Sequence, residues 1–282
     1  RQRSHRGAAA LRRWALMAAK RDTAPVDDAE IGQLYPFLSL GRGNSQAAAS
    51  DHAAGLEAVL EAARSSTVAK AREITALRRV IARDDGDRIA ACADAMADRF
   101  AAGGRLFAFG NGGSSTDAAD LASLFVNPGA SLSGGALRPL PAYGLTSDIA
   151  VVTALSNDVG FDVVYARQIA AFARAGDIAI GFSTSGNSPN LLAAFDEAKR
   201  RGLLTVGLSG GSGGKLAESA SVDYLFAAPS DSVHRIQEAQ TTVVHVLWEL
   251  TLAALEEAAA RRTAPGDGPD QAPAALEERK QP

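Results

Sequence analysis
The chain has a single cysteine, Cys92, in 282 residues, so it can form no internal disulfide, and this cysteine usage fits a reducing cytoplasm. No apolar run approaches the length of a membrane span, which excludes a spanning helix and leads to the expectation of a cytoplasmic protein without membrane contact. An excess of one charge is also missing. With 29 Lys and Arg against 32 Asp and Glu, the net charge of −3 argues against a nucleic-acid-coating protein, so no direct nucleic-acid binding is expected. Two nucleotide signatures are absent as well. Gly-x-Gly-x-x-Gly would require glycine at Ser115, and a P-loop around Gly214-Lys215 would require glycine at Ser209 and a hydroxyl at Leu216.

What is present is the material for a full core. A chain of this length that is 46% hydrophobic can bury one large domain with appendages. Residues 1–50 read as a basic extension, partly disordered. Its first 21 residues carry seven Arg or Lys and no acid; an amphipathic targeting peptide is the alternative to a solvated arm. From Asp51 to Gly103 the text is Ala-rich. Leu56, Val59, Leu60 and Ala63 form one helical stripe and Ile89, Cys92, Ala93, Met96 and Phe100 another, which predicts an N-terminal helical hairpin stopped by Gly103-Gly104. Five short buried runs then alternate with helical stretches: Arg105–Phe109, Leu140–Leu145, Asp177–Phe182, Leu203–Leu208 and Val222–Phe226. That alternation predicts an α/β fold, a doubly wound five-stranded parallel sheet with helices on both faces. One long helix is expected over 234–260, closing a domain of 51–260, and residues 261–282 turn to Pro, Gly and charge and read as a disordered tail.

Two turns carry the chemistry. Ser183-Thr184-Ser185-Gly186-Asn187-Ser188 follows one strand run and precedes Pro189 at the head of a helix. Backbone N–H groups at a helix N-terminus and several small hydroxyls converge there, which suits a phosphate; a serine cap with proline at N1 is the bland account of the same residues. Gly110-Asn111-Gly112-Gly113-Ser114-Ser115 repeats the arrangement after another strand. Ligands in such sheets bind at the carboxyl ends of strands, so the two turns can share one crevice. A third polar turn holds Asp148, and Asn157-Asp158 lies near a helix expected to begin at Phe161. Asp148 and Asn157 are read either as helix caps or as part of the ligand site.

These stretches, together with Gly207-Leu-Ser, Gly213-Gly-Lys215 and Arg235-Ile-Gln-Glu238 with His245, occur in an order that closely resembles the sugar isomerase (SIS) domain of the phosphoheptose isomerases. The resemblance runs from about Asp51 to Glu257 and implies a flavodoxin-like sheet and interconversion of sedoheptulose 7-phosphate with a heptose phosphate. It implies that Ser183, Thr184, Ser185 and Ser188 hold the phosphate, with Gly186 and Asn187 in the same turn. Asn111, Gly112, Gly113 and Ser114 then lie on the sugar, and Asp148, Asn157, Asp158 and Gln237 complete the substrate set. The family forms homotetramers with sites at subunit interfaces, so a homo-oligomer is expected.

One departure changes what the resemblance implies. The isomerases carry His-x-x-x-Glu on the helix after the first turn, a metal-binding His and a catalytic Glu one turn apart. Those positions hold Asp120 and Leu124 here, while the matching Gln237 and His245 of the last helix are intact. Leu124 can neither bind metal nor move a proton. Two functions from different classes follow. One is a phosphosugar-binding protein with weak or absent isomerase activity, a regulator with a protein partner, as in an initiator-associating relative that also lacks the Glu. The other is an active aldose–ketose isomerase in which His245, Asp117 or Glu238 moves the proton. Asp117 reads as a helix cap and Glu238 as lying beside the Gln237 face. Zinc, held by Asp120, Gln237 and His245, is expected to be weak.

Overall fold
A computed structural model describes residues 45–129 and 138–263, with side-chain surroundings for 57–129 and 138–261. The basic arm, nearly all of the 1–50 extension and the tail beyond Thr263 lie outside the described residues. Contacts divide the chain after Ser66, and the unit that starts at Thr67 carries the whole sheet.

The five strand runs form five strands: β1 (Leu106–Gly110), β2 (Ala142–Gly144), β3 (Ile178–Phe182), β4 (Leu204–Gly210) and β5 (Tyr224–Ala228). Every pairing is parallel and the order is β2-β1-β3-β4-β5. The central strands are buried at every position, because successive side chains point to opposite faces and both faces are covered. Leu106, Ala108, Ile178, Ile180 and Phe182 enter one core, which is completed by the helices Ser45–Ala101 (α1), Gly113–Val126 (α2) and Val233–Thr263 (α7). Phe107, Phe109 and Ala179 enter the other, against Ile149–Asp158 (α3), Val164–Phe172 (α4), Pro189–Arg200 (α5) and the short Lys215–Glu218 (α6). A single 3₁₀ turn, Phe161–Val163, joins α3 to α4.

The expected hairpin over 51–103 is not formed: α1 is one helix of 57 residues. No proline interrupts 45–101, and a Cβ on Gly86 would meet nothing within 4 Å, so that glycine marks neither a turn nor a close approach. A lone glycine costs a helix interior only about 1 kcal/mol relative to alanine. The two apolar stripes therefore fall within one helical segment of the chain. Its end is as read: Gly103 takes φ +83°, and Gly103 and Gly104 donate back to Phe100 and Arg99.

The sheet order places β1 and β3 side by side, while the chain leaves β1 for β2 on one flank and returns to β3 on the other. The helices that follow β1 and β3, α2 and α5, consequently cover opposite faces. A crevice opens between the two carboxyl ends. Asp177, fully buried, steadies the opposite ends of the same strands by accepting from the backbone and guanidinium of Arg105, the latter at 2.7 Å, and from the Arg174 N–H. Among the described residues no helix is long and apolar enough to cross a membrane.

Candidate functional site
Gly110 pairs with Phe182 in register, so the two polar turns leave the sheet from adjacent strands. The amides of Asn111 and Asn190 tie them together through reciprocal hydrogen bonds of 3.0 and 2.9 Å. The Tyr165 hydroxyl donates to the Gly110 carbonyl and lies 3.0 Å from Asn111 Oδ1. Burial pushes the Tyr165 phenol up to about 12, so it stays neutral. Within the second turn Ser183 Oγ accepts from the Gly186 N–H at 2.9 Å and Ser185 Oγ from the Asn187 N–H at 3.3 Å. Ser188 is the N-cap residue of α5, with proline at the first helical positions, yet its side chain makes no capping bond. The cap account thus holds for its backbone position and leaves its hydroxyl uncommitted to the helix. Ser183 is buried, Thr184 and Ser188 half-buried and Ser185 exposed.

A third loop braces this turn. Asn187 Oδ1 accepts from the Lys215 N–H at 3.0 Å and the Gly186 carbonyl from the Leu216 N–H at 3.1 Å. On the other side, Gln240 Nε2 of α7 donates to the Ser183 carbonyl at 2.7 Å.

Beside the turns, α2 and α7 enclose a cavity of about 300 Å³. Asp117, Asp120 and Leu124 reach it from successive turns of α2, and Thr241 and His245 from one face of α7, with Phe182 from the end of β3. The alignment is held by Trp248, whose Nε1 donates to the Leu124 carbonyl at 3.1 Å. Leu121, Phe182 and Val244 extend an apolar wall alongside Leu124. Gln237 approaches from α7 so closely that a Cβ on Gly113 would lie 2.5 Å from its Nε2, and it donates to Asp117 at 3.5 Å.

Asp117 is therefore not the helix cap expected: it sits a turn inside α2, whose N-cap position is Gly112. Its carboxyl is raised above the usual range, first by burial and also by the charge of Asp120, against the opposing Gln237 bond. A raised value in the folded state means that the fold holds a proton which the unfolded chain has already lost. The Asp117 carboxylate then costs stability as pH rises through that value. Asp117→Asn is expected to unfold at higher temperature than the native chain at pH 7, with the gain shrinking in acid below the ordinary carboxylate range; thermal melts across pH check it.

The other expected residues fall differently. Asp148 is the N-cap of α3, accepting from the Val151 N–H at 3.1 Å, as its capping account required. Asn157 and Asp158 occupy the last turn of α3, just before the helical turn that begins at Phe161 as expected, and Asn157 donates to Asp158 at 2.9 Å. The capping account fails for Asn157, because Gly160 and Val163 hold the following cap positions. Ser114 is buried in the first turn of α2, whereas Gly112 and Gly113 are exposed. Glu238 is exposed and ion-paired with Arg235, and it is not among the residues that line the cavity.

Zinc was expected on Asp120, Gln237 and His245 together. Asp120 and His245 share the cavity, but Gln237 turns its amide to Asp117. Among the described residues no three His, Cys, Asp or Glu side chains come close enough to hold a metal.

Tyr165, Asn190 and Gln240 were not legible as site residues. The only signal for Asn190 was its place two residues after the serine turn, and Tyr165 and Gln240 gave none.

Residues 71–210 match the SIS domain family. Both polar turns and the strands β1 to β4 lie within the matched residues. The phosphoheptose isomerase of Thermodesulfovibrio yellowstonii is 43% identical over 158 residues, covering 56% of this chain and 76% of the relative. That of Solidesulfovibrio magneticus is 42% identical over 184 residues, 63% of this chain and 84% of the relative. A solved phosphoheptose isomerase structure from Francisella tularensis superposes with a TM-score of 0.60 at 31% identity, covering 67% of this chain and 97% of that one. The chain belongs to the phosphoheptose isomerase family of SIS-domain proteins.

Proposed function
We propose that the chain binds a sugar phosphate, of which sedoheptulose 7-phosphate is the first candidate, with weak or absent isomerase activity. The phosphate is assigned to Ser183, Thr184, Ser185 and Ser188, and the sugar to the cavity between α2 and α7. Leu124 carries the reading: it lines that cavity beside Asp120 and His245, an apolar side chain where the family has its catalytic carboxylate. Aldose–ketose isomerisation moves a proton between adjacent carbons, and a hydrocarbon cannot accept it. Family membership and the braced serine turn support the phosphosugar. Zinc, held by Asp120, Gln237 and His245, is proposed to bind weakly at most. A homotetramer is proposed from the family and from exposed apolar side chains of the sheet-bearing unit, among them Val68, Ile149, Phe161 and Leu250. A protein partner fits the regulatory reading; nucleic acid and membrane do not enter it.

The second reading, a working isomerase with a substitute base, is favoured by one observation: Asp117 places a carboxyl raised by burial in the same cavity. One experiment separates them. Native protein is expected to bind sedoheptulose 7-phosphate in calorimetry while NMR shows little or no conversion. Ser185→Ala with Ser188→Ala should weaken binding about tenfold or more, since each hydroxyl contacts a charged group. Unchanged affinity in the double variant would sink the site assignment.

A further inference from the structure
We propose that Gln240 is the positioning residue of the phosphate turn, fixing from behind the direction in which the Thr184 N–H is presented to a bound anion. The inference rests on the anion reading of 183–188 and assigns a role to a side chain outside the cavity. Gln240 is 2% exposed on α7, and its Nε2 donates to the Ser183 carbonyl at 2.7 Å, across 57 residues of chain. The amide orientation is determinate: exchanging Nε2 and Oε1 would set two oxygens 2.7 Å apart. Oε1 itself is buried without a partner, and Gln240 lines a cavity of about 10 Å³ shared with Asp85 and Val243, close to the space of one water. Among the described residues the amide's one hydrogen-bond partner is the turn.

The consequence follows from peptide geometry. A trans peptide is planar, and its C=O and N–H point in opposite directions. The carbonyl of Ser183 and the N–H of Thr184 belong to one such plane. Drawing the carbonyl toward α7 turns the Thr184 N–H the other way, away from that helix. The Ser183 N–H is itself held by the Leu208 carbonyl and Ser183 Oγ by the Gly186 N–H, so the residue that carries this carbonyl is held at its N–H and its hydroxyl, and Gln240 is the bond on the peptide plane itself. Gln240 also stands one turn after Gln237 on the helix that carries Thr241 and His245, so the helix that lines the sugar cavity also holds the Ser183 carbonyl.

Sulfate is the probe, because its charge does not change between pH 5 and pH 8. Binding is measured by calorimetry, and the Thr184 amide is followed by NMR in isotopically labelled protein. Native chain should bind sulfate with a shift of the Thr184 amide. Gln240→Leu should bind about tenfold or more weakly, and its Thr184 amide should move little. Gln240→Glu supplies a test that survives a folding failure of the leucine variant. Protonated, its carboxyl can donate to the Ser183 carbonyl; ionised, it repels it, with the Asp85 carboxylate and its partner Arg88 as the charged neighbours on α1. Its affinity, taken as a ratio to native at each pH, should approach unity at pH 5 and fall severalfold by pH 8. Native affinity and a native Thr184 shift in Gln240→Leu, or a ratio for Gln240→Glu that stays level with pH, would overturn the positioning role and leave the anion turn standing. A native chain that takes no sulfate would remove both.

Discussion
Replacing Asp120 with His and Leu124 with Glu together is expected to raise turnover of sedoheptulose 7-phosphate at least about tenfold over the native chain, because it returns a proton acceptor to the carbons of the sugar. General acid–base groups are worth about 10²- to 10⁴-fold, and one unoptimised placement recovers part of that. The geometry favours the exchange. Both positions already line the cavity with His245, and the Trp248 bond to the Leu124 carbonyl involves backbone only, so it survives any side chain at 124. Leu124 is only half-buried against the core, so glutamate can keep its stem on that surface and its carboxylate in the cavity. Rates from NMR time courses check the prediction, with circular dichroism to confirm folding. A native chain already turning over at about 1 s⁻¹ or faster, in the range of ordinary enzymes, would refute the binder reading. His245→Ala would then separate an imidazole base from Asp117.

The Gly186→Ala variant is expected to lose about 3 kcal/mol or more of stability, and with it sugar-phosphate binding. Gly186 takes φ +68°, and a Cβ there would lie 1.9 Å from the Gly213 carbonyl oxygen and 2.7 Å from Ser209 Oγ. The first obstacle is backbone in a loop that is itself bonded to the turn, so it cannot swing aside as a side chain could. Left-handed strain costs about 1–3 kcal/mol and overpacking a similar amount. Denaturant melts with an unchanged slope check the loss. Gly112 supplies the contrast: it also has positive φ, but a Cβ there meets nothing within 4 Å, so Gly112→Ala carries the strain alone. Equal losses at both positions would show that the Gly213 contact is not what Gly186 is needed for.

Much of this architecture was legible in the amino-acid sequence, and for physical reasons. A strand buried on both faces must be apolar throughout, so Ile178–Phe182 could be read within a residue of its end. Glycine and serine between such a run and a helix start have few roles, so both turns stood out before any fold was known. The periodicity of α2 likewise put Asp120 and Leu124 on one face, and both line the cavity.

Periodicity names the apolar face of a helix but not what lies across from it, nor whether two stripes share one helix. The hairpin expected over 51–103 therefore became α1, since absence of a breaker is weaker evidence than presence of one. Asp117 looked like a cap because short acids near helix starts usually are caps; only the approach of α7, 120 residues later, turned it toward Gln237. Asn111 with Asn190 across 79 residues, Tyr165 with Gly110 across 55, and Gln240 with Ser183 across 57 belong to the same kind. Each is a polar group forced to find its partner once packing has removed water, and that choice is made by the sheet order and the helix packing rather than by any local run of residues.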